Sequence, residues 1–217
     1  MAYKYIIFDF DGTLFDSRIG IVKSVKYALD QLKIEHPSEE VFTSFIGPPL
    51  HHSFHKHFGL SKSDTALAVV KLREYYGAKG YMQSKPYEGV LDIIKALHKE
   101  NKKVGIATAK PTNYAIQILE SYSWKSYFHS IHGSELKGEL FPKERTIGSV
   151  LSDFAYPESQ DCVMIGDTIY DIKGAQEHGI DSIAVDYGYG KTQDLKDVRA
   201  THLIEKVEQL ATLLLTS

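Results

Sequence analysis

The chain has 217 residues, of which 43% are hydrophobic and 24% are charged, and its formal net charge is -3. This composition is that of a folded globular protein, and the length allows one large domain or a core with a smaller insertion. The weak negative charge argues against a nucleic-acid-binding surface, which normally shows a basic excess. The single cysteine, Cys162, excludes an internal disulfide and favours a reducing compartment.

The first predicted element is a buried strand over Tyr5–Phe8, which ends in Asp9 and is followed by a second acid, Asp11. Two carboxylates this close repel each other, so we expect a positive group or a cation beside them. These acids and Asp16 interrupt the N-terminal apolar run, and no run in the sequence approaches the roughly 20 apolar residues of a membrane span. We therefore expect a cytoplasmic protein without a membrane partner.

Residues 16–84 form a block in which the periodic segments are helical. Apolar residues recur at helical spacing over 19–32 and 64–80, and glycine and proline separate the shorter pieces between them. An all-helical block after the first strand predicts an inserted domain. The predicted domains are an α/β core, 1–15 and 85–217, and a helical insertion, 16–84.

The remaining chain alternates between strands and helices. Short apolar, β-branched segments without polar alternation are typical of strands that are buried on both faces of a sheet. The predicted strands cover 102–108, 127–133, 161–167 and 181–187. The predicted helices cover 89–101, 112–123 and 144–154. The alternation predicts an α/β fold class, with a Rossmann-like parallel sheet between two layers of helices.

Polar residues follow the predicted strands at their carboxyl ends, where open parallel sheets bind ligands. They are Asp9, Asp11, Thr108, Lys110, Lys143, Asp167 and Asp171. Oxygens from Asp9, Asp11 and Asp167 suit a hard divalent cation, most simply Mg²⁺ held with waters. Because no histidine or cysteine belongs to this set, zinc is not favoured. A hydroxyl, a lysine and the open backbone at Gly12 suit phosphate oxygens.

Four segments also lie in the order of a known set of motifs. The stretches "DFDGTLFDS", "ATAKP", a later lysine and "GDTIYD" resemble the motifs of the haloacid dehalogenase superfamily of phosphohydrolases. The resemblance implies that Asp9 is a nucleophile that forms an aspartyl-phosphate, while Asp11 protonates the leaving oxygen and then activates water. The backbone carbonyl of Asp11 would also face the metal. Dehalogenases of the superfamily displace halide, which needs no proton, and they lack an acid at the position of Asp11. The presence of Asp11 therefore favours phosphate chemistry.

The resemblance implies further contacts for the phosphate and the metal. Thr108, with Ala109 beside it, and Gly12 would bind the phosphate; a threonine that only caps the strand is the alternative. Asp167 would ligate the metal directly, and Asp171 would act through water or by orienting other groups. A helix N-cap is the alternative for either aspartate.

The phosphate-binding lysine has three candidates. Lys143 lies where similar phosphatases place theirs, just ahead of a predicted helix, and Lys110 and Lys137 are its rivals. We expect Lys143 to bind the phosphate.

The helical insertion resembles the cap that many of these enzymes carry after the first motif, where it closes over the site. Within it, "FIGPPL" resembles a specificity loop of the branch related to phosphoglycolate phosphatase, in which Gly47 would let the backbone approach the substrate. A plain turn is the alternative. The histidine-rich stretch His51–His57 is expected to be a solvated or packing face, with contact to an anionic substrate or a zinc site as alternatives.

The sequence thus predicts a Mg²⁺-dependent phosphatase for a small phosphorylated metabolite, similar to phosphoglycolate phosphatases or 5′-nucleotidases. A sugar phosphomutase of the same superfamily is one alternative. A phospho-receiver is another, although it needs neither the helical insertion nor the second acid at Asp11. The sequence does not distinguish a monomer from a homodimer.

Overall fold

The computed structural model describes residues 3–48, 50–135 and 142–215. They form two compact units. The first contains the described residues up to Phe15 and from Pro86 onward, and the second contains Asp16–Lys85. The second unit includes the segment for which we predicted a helical cap, and its function as a cap stays a prediction.

A six-stranded sheet forms the centre of the first unit. Its strands are β1 (Tyr5–Phe8), β4 (Lys103–Pro111), β5 (Ser130–Ser134), β6 (Cys162–Gly166), β7 (Asp181–Val185) and β8 (His202–Ile204). They lie in the order β5-β4-β1-β6-β7-β8, and neighbouring strands run parallel. The carboxyl ends of β4, β1 and β6 therefore lie side by side. Two short strands, β2 (Phe15–Asp16) and β3 (Lys85–Pro86), form a separate two-stranded sheet.

Helices connect the strands of the large sheet. They are α5 (Val90–Lys99), α6 (Thr112–Ser121), α7 (Lys143–Asp153), α8 (Ile169–Glu177), α9 (Thr192–Asp197) and α10 (Gln209–Leu214). On one face of the sheet, Ile147 and Val150 of α7 pack with Ile7, Ala107 and Met164 from three adjacent strands. The two α7 residues are three apart, which places them on the same side of the helix. The predicted α/β fold class with a parallel sheet is confirmed.

The strand predictions differ from the structure in extent at β4 and β5, the second of which begins at Ser130 and not at 127, and in number, because β2, β3 and β8 were not predicted. Strand β4 continues beyond the predicted end at 108: its register with β5 shifts after Ala107, and the two strands pair again where Pro111 lies opposite Ser134. The sequence prediction missed β8 entirely. This strand has only three residues, too few for a periodic signal, and it forms by pairing with β7.

The second unit is largely helical. Its helices are α1 (Arg18–Leu32), α2 (Glu39–Thr43), α3 (Leu50–Phe58) and α4 (Lys62–Tyr75), and a π-helical turn follows at Tyr76–Gly80. The helix predicted over 64–80 therefore ends earlier as an α-helix. The unit has its own apolar core, which includes Val25, Leu29, Phe42, Phe54 and Leu72. Among the described helices of the chain, none is long and apolar enough to cross a membrane.

Candidate active site

Three buried carboxylates meet at the carboxyl ends of the central strands. Asp9 follows β1, Asp167 follows β6, and Asp171 lies in the first turn of α8. Each offers an oxygen within 4.8 Å of those of the other two, and the exposed fractions of the residues are 7%, 0% and 0%. Carboxylates are rarely buried to this extent unless they are paired or bind a cation.

Lys143 supplies a positive charge inside this group. It is the first residue of α7, and its Nζ lies 2.8 Å from Asp9 Oδ1 and 2.8 Å from Asp171 Oδ1. Both contacts are ion pairs. Nζ also donates a hydrogen bond of 3.1 Å to the carbonyl of Ala107, one residue before Thr108 in β4. The lysine thus ties the ends of β1, β4 and α8 together.

Burial and mutual repulsion dominate the electrostatics of the cluster. Burial raises the pKa of Asp9 to about 6, although the ammonium of Lys143 opposes this effect. Burial, followed by the charges of Asp9 and Asp171, raises the pKa of Asp167 well above its ordinary value. Burial alone would lower the pKa of Lys143, but the carboxylates of Asp171 and Asp9 outweigh it and raise that pKa. One ammonium among three carboxylates leaves an excess of negative charge that a divalent cation would relieve.

The two oxygens of Asp171 are both engaged within the protein. Oδ2 accepts hydrogen bonds from the backbone N–H and the hydroxyl of Thr168, at 2.9 and 2.7 Å, while Oδ1 pairs with Lys143. This geometry fits the orienting role predicted for Asp171 better than direct ligation of a metal.

Asp167 differs from Asp171, because only one of its two carboxylate oxygens is engaged by the described residues. Its Oδ2 accepts a hydrogen bond of 2.7 Å from the backbone N–H of Tyr189, whereas its Oδ1 is buried and has no hydrogen-bond partner among the described residues. Gly12, at a φ of 84°, comes so close that a Cβ would overlap the Asp167 carboxylate. An unsatisfied buried oxygen within an all-oxygen cluster fits a hard cation such as Mg²⁺.

The second acid of the first motif pairs with a different lysine. Lys110 Nζ lies 2.9 Å from Asp11 Oδ1, and the exposed fractions of the two side chains are 2% and 19%. The backbone N–H of Lys110 donates a hydrogen bond of 3.1 Å to the hydroxyl of Thr108, and Thr108 is buried. The carboxylate of Asp11 does not belong to the three-carboxylate group. Both Lys110 and Lys143 are thus held by acids of the first motif, and Lys137 lies outside the described residues.

The contacts of Ala109 and Gly47 do not test their predicted roles in substrate binding. Ala109 follows Thr108 within β4, and its carbonyl accepts a hydrogen bond of 2.8 Å from the Ser134 hydroxyl. Gly47 lies in the second unit, exposed and at a φ of 101°, a conformation that favours glycine. Its contact with substrate stays a prediction.

The histidine-rich stretch His51–His57 lies on α3 of the second unit. His55 Nδ1 bonds the carbonyl of Leu60, and His57 Nε2 bonds the hydroxyl of Ser44, both at 3.0 Å. These contacts are local and fit the solvated or packing face that we expected.

Comparison with known proteins identifies the family. A family model described as haloacid dehalogenase-like hydrolase matches residues 6–185, which include all four predicted motifs. The chain belongs to the haloacid dehalogenase-like hydrolases. This confirms the predicted family.

Individual known proteins resemble the chain over nearly its whole length. A 5′-nucleotidase from Pseudomonas aeruginosa is 35% identical over 93% of this chain and 91% of its own length. The tyrosine-protein kinase PtkA from Mycobacterium tuberculosis is 32% identical over 93% of this chain and 68% of its own length. A solved Clostridium difficile structure described as a phosphatase is 38% identical over 99% of both chains, with a TM-score of 0.92. The predicted enzyme class, a phosphatase, is confirmed.

In this haloacid dehalogenase-like hydrolase, sequence reasoning found the acids but missed the groups that hold them. Thr168, Gly188, Tyr189 and Gly190 surround Asp167 and Asp171, and none was assigned a role. Two signals were available: the spacing of Thr168 and Asp171, which is that of a helix capping box, and the "YGYG" stretch after β7, because closely spaced glycines mark a close approach of backbone. Which residue they approach depends on the tertiary structure.

Proposed function

We propose that the chain is a Mg²⁺-dependent phosphatase that hydrolyses a small phosphorylated metabolite through an aspartyl-phosphate on Asp9. The observation that carries the proposal is the position of Asp9. This carboxylate directly follows β1, lies 2.8 Å from the Lys143 ammonium and is grouped with those of Asp167 and Asp171. The second acid, Asp11, follows two residues later.

The proposed reaction has two steps, and the phosphoryl group is bound covalently between them. An oxygen of Asp9 attacks phosphorus, the bond from phosphorus to the leaving oxygen breaks, and Asp11 gives that oxygen a proton. Asp11 then takes a proton from water, the water oxygen attacks phosphorus, and the bond to Asp9 breaks to release inorganic phosphate. Lys143 and the hydroxyl of Thr108 would hold the phosphoryl oxygens as negative charge develops on them.

The chain's own groups suit the metal in distinct ways. Asp9 and Asp167 would be direct ligands, Asp167 through the Oδ1 that has no hydrogen-bond partner among the described residues, together with the backbone carbonyl of Asp11. Asp171 would act from the outer sphere, because Lys143 and Thr168 already engage its oxygens. When bound, Mg²⁺ would offset the repulsion between the carboxylates and the incoming phosphate.

The resemblance and the names of the relatives support the proposed substrate class. The motifs resemble those of phosphoglycolate phosphatases, and one relative is named 5′-nucleotidase. Gly47 and the rest of the second unit would supply substrate contacts as a cap. We propose that neither nucleic acid nor membrane takes part and that the enzyme is cytoplasmic.

A second candidate is transfer of the phosphoryl group to an acceptor other than water. The similarity to a protein named tyrosine-protein kinase favours it. The sugar phosphomutase considered as an alternative would be one enzyme of this kind. The first step would be unchanged. In the second, a hydroxyl of the acceptor would take the place of water.

Phosphate release from the purified protein tests the proposal. We expect turnover of p-nitrophenyl phosphate and of a member of a panel containing phosphoglycolate and nucleoside 5′-monophosphates. EDTA should abolish it and added Mg²⁺ should restore it. Activity that persists in EDTA would contradict the metal site, and phosphoryl transfer to an acceptor without phosphate release would favour the second candidate.

A further inference from the structure

We infer that residues 187–190, here called the 187–190 loop, form a positioning element that presents Asp167 to the cation through one oxygen only. The loop follows β7 and reads Tyr-Gly-Tyr-Gly. The inference rests on the proposed metal site and adds to it a specific role for a segment outside the four motifs.

A backbone hydrogen bond fixes the rotation of the Asp167 carboxylate. The N–H of Tyr189 donates to Asp167 Oδ2 over 2.7 Å, and Asp167 is 0% exposed. The other oxygen, Oδ1, is left buried without a hydrogen-bond partner among the described residues. A carboxylate held in this way has one oxygen satisfied and one directed into the cluster with Asp9.

The two glycines of the loop are needed because there is no space for a side chain. A Cβ on Gly188 would lie 2.5 Å from Asp167 Oδ2 and 2.5 Å from the carbonyl oxygen of Gly12. A Cβ on Gly190 would overlap the backbone carbonyl of Asp167. Neither glycine has a positive φ, so the requirement comes from close packing and not from backbone conformation.

Tyr187 anchors the loop to the first motif. Its hydroxyl donates a hydrogen bond of 3.1 Å to the carbonyl of Thr13, next to Gly12. Its ring packs edge-on against Tyr87, with a centroid distance of 5.0 Å. The loop therefore contacts both of the segments that supply metal ligands, the one around Asp9 and Asp11 and the one ending in Asp167.

This arrangement lowers the entropy that the Asp167 side chain loses when a cation binds. A carboxylate that could rotate would have to lose that freedom on binding, whereas this one is already held. Outer-shell groups that orient a ligand typically change metal affinity about 10- to 100-fold when they are lost. The 187–190 loop is placed to have an effect of this size.

Binding of Mg²⁺ alone, measured by titration calorimetry without substrate, tests the inference. We expect Gly188→Ala to bind Mg²⁺ at least about 10-fold more weakly than the wild type, because the added methyl displaces the Asp167 carboxylate. The matched control is Gly179→Ala. Gly179 has a φ of +65° but nothing within 4 Å of a Cβ, so alanine there adds backbone strain without crowding Asp167.

Tyr187→Phe is a second variant, and it decides the matter if Gly188→Ala does not fold. It removes only the hydroxyl that bonds Thr13, and we expect about 3- to 10-fold weaker Mg²⁺ binding with an unchanged circular dichroism spectrum. If the wild type binds Mg²⁺ and both variants bind it equally well, the inference is overturned while the proposed function stands. If the wild type binds no Mg²⁺, the proposed metal site is itself wrong.

Discussion

Lys143 and Asp9 form a buried ion pair, in which Nζ lies 2.8 Å from Oδ1 and the side chains are 6% and 9% exposed. The lysine begins α7, where the helix dipole disfavours a positive charge. The carboxylates of Asp9 and Asp171 outweigh this effect, since both lie within ion-pair distance of the same ammonium. Lys143 is therefore held in the site by its partners and not by its helix.

Replacement of this lysine should affect both activity and stability. We expect Lys143→Met to lower phosphatase turnover at least about 100-fold, because the phosphoryl oxygens lose a buried positive charge. The metal-free variant should also be about 3 kcal/mol less stable at pH 7, since Asp9 and Asp171 remain buried without their partner. Steady-state kinetics and urea unfolding measure the two effects. Lys173→Met, on the exposed side of α8, is the control and should change neither.

Lys110 should behave differently, because its partner is Asp11. We expect Lys110→Met to lower kcat about 10-fold through a misplaced Asp11, with little change in inhibition by inorganic phosphate. Lys143→Met should instead weaken phosphate inhibition strongly. Product-inhibition constants of the two variants distinguish the roles. If Lys110→Met has the larger effect on phosphate inhibition, Lys110 is the phosphate-binding lysine and our assignment is wrong.

The raised pKa of Asp9 predicts a pH dependence of stability in the metal-free protein. Burial raises this pKa from 3.8 to about 6, so between these values the folded state keeps a proton that the unfolded state has lost. Stability therefore falls as the pH rises through this window, by at most about 3 kcal/mol.

The difference in unfolding free energy between the wild type and Asp9→Asn isolates this effect, because asparagine does not titrate. We expect this difference to decrease from pH 4 to pH 7 in EDTA, and Asp9→Asn to be inactive as a phosphatase. The exposed Asp92→Asn serves as a control for general charge effects. If the difference in unfolding free energy between wild type and Asp9→Asn is constant with pH, the raised pKa of Asp9 is contradicted. Substantial phosphatase turnover by Asp9→Asn would contradict the role of Asp9 as nucleophile.

Lys102 offers a test of stability away from the site. Its buried ammonium donates to the carbonyls of Tyr3 and Leu214, at 3.0 and 2.5 Å, and so joins the two ends of the described chain. Lys102→Met leaves both carbonyls without this donor, and we expect a loss of about 1–3 kcal/mol in unfolding free energy with kcat unchanged. The exposed neighbour Lys103→Met is the control in a urea titration. Equal stability of the two variants would show that the buried contacts contribute nothing.

Cys162 should be protected from thiol reagents in the folded protein. It is 0% exposed, and burial, with Asp161 nearby, raises its pKa to about 11. At pH 8 roughly one molecule in a thousand would carry the reactive thiolate, even before access is considered. We expect very slow reaction with a chromogenic disulfide reagent at pH 8 and complete reaction in guanidinium. Rapid reaction of the native protein would contradict this environment.

Much of the local structure could be predicted from the sequence. Apolar runs without polar alternation identified β1, β6 and β7, and helical periodicity identified α5, α6 and α7, because both signals depend on neighbours along the chain. β8 and the end of β4 could not be found in this way. Those segments are strands because a neighbouring strand pairs with them.

The candidate site likewise has features that the local sequence predicts and features that depend on the tertiary structure. The sequence alone determined the chemistry that is available, since Asp9, Asp11 and Asp167 follow strands whose carboxyl ends must meet in a parallel sheet. Only the tertiary structure decided that Lys143 pairs with Asp9 while Lys110 pairs with Asp11, and that the 187–190 loop holds Asp167. These contacts join residues far apart in the chain, and their distances depend on strand register and side-chain packing, which no local pattern encodes.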